Sequence, residues 1–171
     1  MTRTQDSEVP VSPHGDTRLA SSGIVRRATV ADIDALIEMG KSFLSYSKYG
    51  QAVPFDHDQM AKGLCGVIDH GVIFVAEKHG EIIGGLVGAM SQMWFAPDTL
   101  IASELAWWVK PEHRGSKLSI RLLHEFERWG KANGAKLIAM SDLVIDGDNP
   151  AGRLIEKLGY ALVERAHVKG V

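Results

Sequence analysis

The polar turn Glu112-His113-Arg114-Gly115-Ser116 joins two segments of different character. Before it, residues 105–109 form an apolar, aromatic run that Pro111 ends, as expected of a buried strand. After it, a helical pattern begins whose apolar residues share one face: Leu118, Leu122, Leu123, Phe126 and Trp129. A turn between a strand and a helix exposes unpaired backbone N–H groups and the positive end of the helix dipole. The turn is therefore predicted to bind an anion such as a pyrophosphate.

Other patterns that could carry chemistry are weaker. Gly115-Ser116-Lys117 has part of a P-loop, but the earlier glycine of that motif is absent, so a nucleoside triphosphatase is not predicted. Cys65 is the only cysteine, and we interpret it as a small buried residue rather than a catalytic thiol. The histidines show neither a His-x-x-x-His nor a Cys-paired pattern, so no metal site is predicted. They are His14, His57, His70, His79, His113, His124 and His167.

Length and composition are those of one globular domain. The chain has 171 residues, of which 45% are hydrophobic and 23% charged. A formal net charge of -2 gives no reason to expect nucleic acid or an anionic membrane as partner. No apolar run approaches the roughly 18 residues of a membrane span, and the N-terminus lacks the order of a signal peptide. A reduced, cytoplasmic location is the expectation.

Two helices are predicted in the first half of the chain. Residues 1–23 are rich in Ser, Thr, Pro, Gly and charge, so a flexible tail is expected before a domain at 24–171. A short strand at 24–28 leads to the capping box Thr29–Asp32 and a helix that ends near residues 45–49. After a polar loop, a second capping box, Asp56-x-x-Gln59, opens a helix that Gly71 ends.

The remainder is predicted to be mostly strands. Three strands at 72–77, 82–90 and 100–109 form an antiparallel meander, with turns at 78–81 and at Pro97-Asp98. Beyond the central helix, a buried strand at 135–140, a short helix at 153–158 and a last strand at 160–165 complete the chain. The order β-α-α-β-β-β-α-β-α-β predicts an α/β fold with βαβ-type crossings in its second half.

This order, with three segments, resembles the GNAT superfamily of acyl-CoA-dependent N-acyltransferases over residues 24–171. Residues 75–84 are similar to the family's hairpin of strands two and three, and residues 109–115 to the start of its acetyl-CoA motif. Residues 149–160 are similar to its closing helix, which commonly ends in a Gly-aromatic pair. The resemblance implies a mixed sheet with an antiparallel front half and a V-shaped splay between parallel strands four and five.

The resemblance also implies acetyl-CoA as co-substrate and a set of residues that bind it. Backbone groups of Trp107 and Val109 would bind the pantetheine arm like an added strand. Asn149 matches a cofactor-contacting asparagine, although helix capping alone would also explain it. The pyrophosphate loop would consist of Arg114, Gly115, Ser116, Lys117, Leu118 and Ser119.

Two positions depart from the family pattern. Lys117 stands where the phosphate loop has a glycine, so it would be strained if the backbone needed a glycine-only conformation. Its ammonium could reach a phosphate, or it could be a solvated lysine in the first helical turn. Ile155 stands where many members have the tyrosine that protonates the departing CoA thiolate. Tyr160 is close in sequence, but it is expected to be packed.

Acyl transfer to an amine requires a base, a polarised thioester carbonyl and close positioning of both reactants. Glu104 is the predicted base, acting directly or through water on a strand that passes the thioester. Apolar surroundings near Trp107 and Trp108 would raise its pKa. The alternative is that Glu104 faces outward on an alternating strand, and the sequence is compatible with both. The two tryptophans should face opposite sides of the sheet, one in the core and one able to line an acceptor pocket.

Two functions are compatible with these residues. The first is an N-acyltransferase that moves an acetyl group from acetyl-CoA to a primary amine of a small molecule or peptide. The second is a catalytically degenerate CoA-binding or structural protein, which Lys117 and Ile155 keep open. The acceptor pocket would include residues 47–54, 90–95 and the C-terminal strand, and the resemblance allows a homodimer. The acceptor could be a polyamine, an aminoglycoside, an amino acid, a peptide N-terminus or a lysine.

Overall fold

A computed structural model describes residues 23–143 and 149–169. Apart from Gly23, the predicted tail lies outside the described residues, as does most of the loop before Asn149. The strands are β1 (Ile24–Arg27), β2 (Val72–Lys78), β3 (Glu81–Met93), β4 (Ala96–Val109) and β5 (Leu137–Ala139). The helices are α1 (Ile33–Tyr46), α2 (Tyr49–Ala52), α3 (His57–His70), α4 (Lys117–Ala132) and α5 (Pro150–Lys157).

The five strands form one mixed sheet in the order β1-β2-β3-β4-β5. The first three pairings are antiparallel. The pairing of β4 with β5 is parallel, since the crossover through α4 brings the chain back in the same direction. The predicted α/β fold, antiparallel in front and parallel behind, is confirmed.

Local signals set several of the element boundaries. The capping box at Thr29 and Asp32 is present, although it opens a single 3-10 turn that leads into α1. Asp56 caps α3 by accepting a hydrogen bond from the Gln59 N–H at 2.9 Å. The turn between β2 and β3 is His79-Gly80, with φ of 53° and 79°. Two left-handed residues match the twist of a tight hairpin, as the sequence predicted.

The predicted position of the turn between β3 and β4 is wrong. The turn lies at Trp94-Phe95 rather than at Pro97-Asp98, and β4 begins at Ala96. Met93 pairs with Ala96 and Gln92 pairs with Leu100, so residues 97–99 leave the ladder between these two pairs. Because proline has no N–H to donate, Pro97 belongs in such an irregularity rather than at the tip.

The predicted last strand at 160–165 is also wrong, because residues 160–169 form no strand in the structure. β5 has only three residues and offers little backbone to pair with. The segment is held at its start, where the Tyr160 N–H donates to the Ile155 carbonyl and its hydroxyl to Glu127. Beyond it, Leu162 and Val163 are exposed.

The sheet carries apolar cores on both faces. On one face, the predicted apolar side of α4 is buried, with Phe126 fully inaccessible. A Cβ at Gly88 would lie 2.3 Å from the Phe126 ring, so glycine at this position lets α4 approach β3. On the other face, α1 packs Leu36 and Met39 against Trp108. No helix among residues 23–143 and 149–169 is long and apolar enough to cross a membrane.

Candidate active site

Strands β4 and β5 separate after a short stretch of pairing. Ile101, Ala102 and Ser103 pair with the three residues of β5, and β4 then runs on to Val109 without β5. The Lys110 N–H donates to the Ile83 carbonyl at 2.9 Å, which puts the backbone groups of Val109, and of Trp107 before it, on the side away from β3. The predicted edge residues therefore lie where an extended ligand arm could pair with them.

A β-bulge lies at the point of separation. Val87 pairs with Ala106 and Gly88 with Glu104, so Leu105 is an extra residue on β4. A bulge bends its strand and resets which side chains share a face. Beyond it, Trp107 packs against the α4 core and Trp108 against the α1 core, as the alternation predicted.

Glu104 lies immediately before this bulge, and its carboxylate is held by the chain beyond β5. Its Oε2 accepts hydrogen bonds from the Ser141 N–H, at 3.0 Å, and from the Ser141 hydroxyl. Burial raises the pKa of Glu104 above its ordinary value, and nearby Asp142 adds to this, while the two bonds from Ser141 act in the opposite direction. The Glu104 carboxylate is therefore held in position by Ser141, and its proton affinity is higher than that of a glutamate in water.

The start of α4 has the features of an anion site. Gly115 has φ of 73°, and Ser116 is the extended residue before the helix. In the described part of the chain, the N–H groups of Lys117 and Leu118 donate to no backbone carbonyl. Two buried hydroxyl oxygens there, Ser116 Oγ and Ser119 Oγ, also have no hydrogen-bond partner, and neither has the buried Trp107 Nε1 on β4. An unpartnered buried polar group costs about 1–3 kcal/mol, so these atoms suit a polar ligand.

The backbone strain expected at Lys117 is absent. His79 is the only residue other than glycine with positive φ in the described ranges, so Lys117 adopts an ordinary helical conformation as the first residue of α4. Its side chain is exposed. Lysine in place of glycine therefore leaves the N–H of this position free to donate.

Arg114 does not point into the turn. Its Nε donates to the Val109 carbonyl oxygen at 3.1 Å. Its guanidinium lies over the Trp108 ring, 4.4 Å from the centroid, and 5.5 Å from the centroid of Tyr46. Any contribution of Arg114 to anion binding would therefore come through its backbone and its effect on neighbouring groups.

Asn149 acts as the helix cap of α5. Its side-chain oxygen accepts a hydrogen bond from the Gly152 N–H at 2.7 Å, and its amide nitrogen donates to Asp142. The capping explanation is thus confirmed, and direct contact of Asn149 with a cofactor stays a prediction.

No proton donor occupies the position of the expected acid. Ile155 is buried, with 7% of its surface exposed. The Tyr160 hydroxyl donates to Glu127 Oε1 at 2.8 Å. Burial and the Glu127 carboxylate together raise the pKa of Tyr160 above its ordinary value. The hydroxyl proton of Tyr160 is therefore engaged in the hydrogen bond to Glu127.

Sequence reasoning missed three residues that shape the site: Ser141, Asp142 and Tyr46. Ser141 and Asp142 carried a usable signal, because two polar residues follow the apolar run of the predicted strand at 135–140. Tyr46 carried none. Within the described ranges, no group of three or more His, Cys, Asp or Glu side chains could hold a metal ion.

Comparison with known proteins identifies the fold family. The model of the acetyltransferase (GNAT) family matches residues 39–160. No curated protein matches the chain. Among solved structures, an acetyltransferase from Trypanosoma brucei is 16% identical with a TM-score of 0.68, covering 87% of this chain and 99% of its own. A predicted acetyltransferase with acetyl-CoA from Clostridium acetobutylicum is 17% identical with a TM-score of 0.68, covering 86% and 96%.

A third structure is that of AAC(6')-Iy in complex with the bisubstrate analog CoA-S-monomethyl-acetylneamine. It is 16% identical, with a TM-score of 0.69, and the match covers 87% of this chain and 97% of that one. At these identities the structural matches show the fold, and the family match extends over most of the sequence. The chain belongs to the GNAT acetyltransferase family.

Proposed function

We propose that this protein is an N-acyltransferase that transfers an acetyl group from acetyl-CoA to a primary amine of a small molecule or peptide. The transfer is by direct attack in a ternary complex. The observation that carries this proposal is the placement of a half-buried carboxylate, that of Glu104, which accepts hydrogen bonds from Ser141 at the point where β4 leaves β5. From there an open strand edge leads towards an anion-binding helix start.

The residues fit acetyl-CoA as co-substrate. The edge backbone at Trp107 and Val109 would pair with the amides of the pantetheine arm. The free N–H groups at the start of α4, with the hydroxyls of Ser116 and Ser119, would hold the pyrophosphate. The cofactor supplies the activated thioester. Structures of family relatives with acetyl-CoA and with a CoA-linked analog support this assignment.

In the proposed reaction, Glu104 accepts a proton from the acceptor ammonium or amine, directly or through one water. Its raised pKa brings it closer to the working pH of a general base. An edge N–H of β4 polarises the thioester carbonyl. Ile155 cannot donate a proton and the Tyr160 hydroxyl is bound to Glu127, so neither residue would protonate the CoA sulfur, for which a thiolate would be a tolerable leaving group near neutral pH.

The alternative is a CoA-binding protein of this family without catalysis, favoured by Ile155 at the acid position. Within the first proposal, the AAC(6')-Iy complex contains an acetylneamine group, which supports a small-molecule amine as acceptor. A cytoplasmic location and a homodimer stay predictions.

Acetyl-CoA at millimolar concentration is expected to raise the melting temperature, because a ligand that binds only the folded state stabilises it by about 2.7 kcal/mol at 100 times its Kd. Differential scanning fluorimetry measures this, with adenosine as the control that lacks the pyrophosphate and the arm. If a shift appears, release of CoA thiol during a screen of amines separates the enzyme from the binding protein. No shift would reject the enzyme and the CoA-binding protein alike and would favour a structural protein of this fold.

Ser119→Ala is expected to weaken acetyl-CoA binding by about 10- to 150-fold, the effect of losing one hydrogen bond to a charged group, which contributes roughly 1.5–3 kcal/mol. Isothermal titration calorimetry measures the Kd. The matched control is Ser91→Ala, which removes an exposed hydroxyl from β3. Equal affinities in both variants would show that the Ser119 hydroxyl does not touch the cofactor.

Ser141→Ala is expected to move the acidic limb of the pH–rate profile to higher pH. The Ser141 hydroxyl lowers the pKa of Glu104, so its removal lets burial raise that pKa further. A base works only when deprotonated, and turnover should therefore be lost at a higher pH than in the native protein. The pH dependence of kcat/KM tests this, and an unmoved limb would show that another group titrates.

A further inference from the structure

Arg114 belongs to the turn before α4, and its side chain lies against the end of α1. It precedes Gly115 in the turn, and its guanidinium lies over the faces of Trp108 and Tyr46. Aromatic faces attract cations, and the planar guanidinium can also stack on them. The hydrogen bond from its Nε to the Val109 carbonyl fixes the position of the guanidinium relative to β4.

Tyr46 ends α1, and a weakly packed segment follows it. The Tyr46 ring lies 5.2 Å from the Trp108 ring, centroid to centroid. Ser47 is buried, whereas residues 48–55 are exposed. α2 is held by short local bonds, such as Gly50 N–H to Ser47 O at 3.2 Å and Val53 N–H to Tyr49 O at 2.9 Å. The order of this segment therefore depends on how firmly Tyr46 and Ser47 are anchored.

We propose that Arg114 is a positioning residue that couples cofactor binding at the turn to the order of residues 47–55. This inference rests on the proposed function. A pyrophosphate bound by the N–H groups after Arg114 fixes the backbone of the turn. The guanidinium, bonded to Val109 and stacked on Trp108, then restrains Tyr46 and with it the start of α2. Residues 47–54 border the predicted acceptor pocket, so the cofactor orders part of that pocket before the amine arrives.

The coupling also acts in reverse. Coupling between two sites is reciprocal. The factor by which bound cofactor increases the affinity for an acceptor that orders residues 47–55 is therefore also the factor by which that acceptor increases the affinity for the cofactor. The coupling requires both a flat cation and an aromatic face. Lysine at position 114 keeps the charge but loses the planar fork and the Nε bond, and leucine at position 46 loses the ring.

Hydrogen exchange of the Gly50, Gln51 and Val53 amides tests the coupling with acetyl-CoA as the probe. These amides hold the turn of α2. In the native protein, saturating acetyl-CoA is expected to slow their exchange about fivefold or more, the lower end of typical coupling between sites. Arg114→Lys and Tyr46→Leu should lose this slowing, whereas Tyr46→Phe, which keeps the ring, should retain it.

The outcomes are separated by measuring the Kd of acetyl-CoA for each variant by calorimetry, so that exchange is always compared at saturation. Tyr46 and Arg114 are both exposed, and circular dichroism confirms that the variants are folded. Binding without slower exchange in the native protein, or equal slowing in Arg114→Lys and Tyr46→Leu, overturns the coupling alone. Absence of acetyl-CoA binding overturns the proposed function together with the coupling.

Discussion

Replacement of Glu104 by glutamine is expected to lower kcat about 10²- to 10⁴-fold, the usual contribution of a general base. Glutamine has almost the same shape and its oxygen can still accept hydrogen bonds from Ser141, but it cannot take a proton from the amine. The Kd of acetyl-CoA should change little, because Glu104 lies at the far end of the open edge from the start of α4. Thiol release gives kcat and calorimetry gives the Kd.

Glu112→Gln is the matched control, since it makes the same change on an exposed side chain in the turn before Arg114. It should leave kcat nearly unchanged. If Glu104→Gln retained native turnover, Glu104 would not be the base. If it lost both turnover and binding, the carboxylate would instead serve to hold β4 to the chain after β5.

Replacement of Phe126 by alanine is expected to lower the free energy of unfolding by about 3–5 kcal/mol. Its ring is fully buried, fills the space left by Gly88 and stacks on Trp129 at a centroid distance of 5.8 Å. Removing it leaves a cavity between α4 and the sheet. In a domain of this size each kcal/mol lowers the melting temperature by roughly 2–4 °C, so calorimetric melting should show a fall of about 10 °C.

Phe95→Ala deletes the same ring from the exposed hairpin turn, where 62% of Phe95 is accessible. This variant should melt within about a degree or two of the native protein, since exposed substitutions usually change stability by less than 0.5 kcal/mol. Equal losses in the two variants would mean that α4 does not pack on the sheet as described.

Most of the fold could be predicted because its signals are local. The spacing of the apolar residues in α4 predicts which of them are buried. The residues His79-Gly80 predict a tight hairpin turn, and both have positive φ in the structure. The errors lie where the structural effect of a residue depends on a strand that is distant in sequence. Pro97 indicates an interruption of pairing, and only the partner strand shows that the interruption is a loop within β4 rather than its start.

The geometry around the candidate site was predictable to a similar extent. The turn before α4, at residues 112–116, is contiguous in sequence, so its backbone geometry follows from strand, turn and helix patterns. The sequence marks Glu104 as the candidate base, but its hydrogen-bond partner Ser141 is 37 residues away, and only the parallel pairing of β4 with β5 brings the two together. The bulge at Leu105 also depends on pairing, since nothing in residues 101–109 reveals an extra residue.

The separation of β4 from β5 has a consequence for the behaviour of the protein in solution. From Glu104 to Val109 no strand among the described residues pairs with the outer side of β4, and an unpaired strand edge is a template on which other chains can add strands and aggregate. A ligand arm that pairs with the same backbone groups would cover this template. Protein purified without cofactor would then be the form most inclined to self-associate, and cofactor supply would govern its solubility as well as its rate.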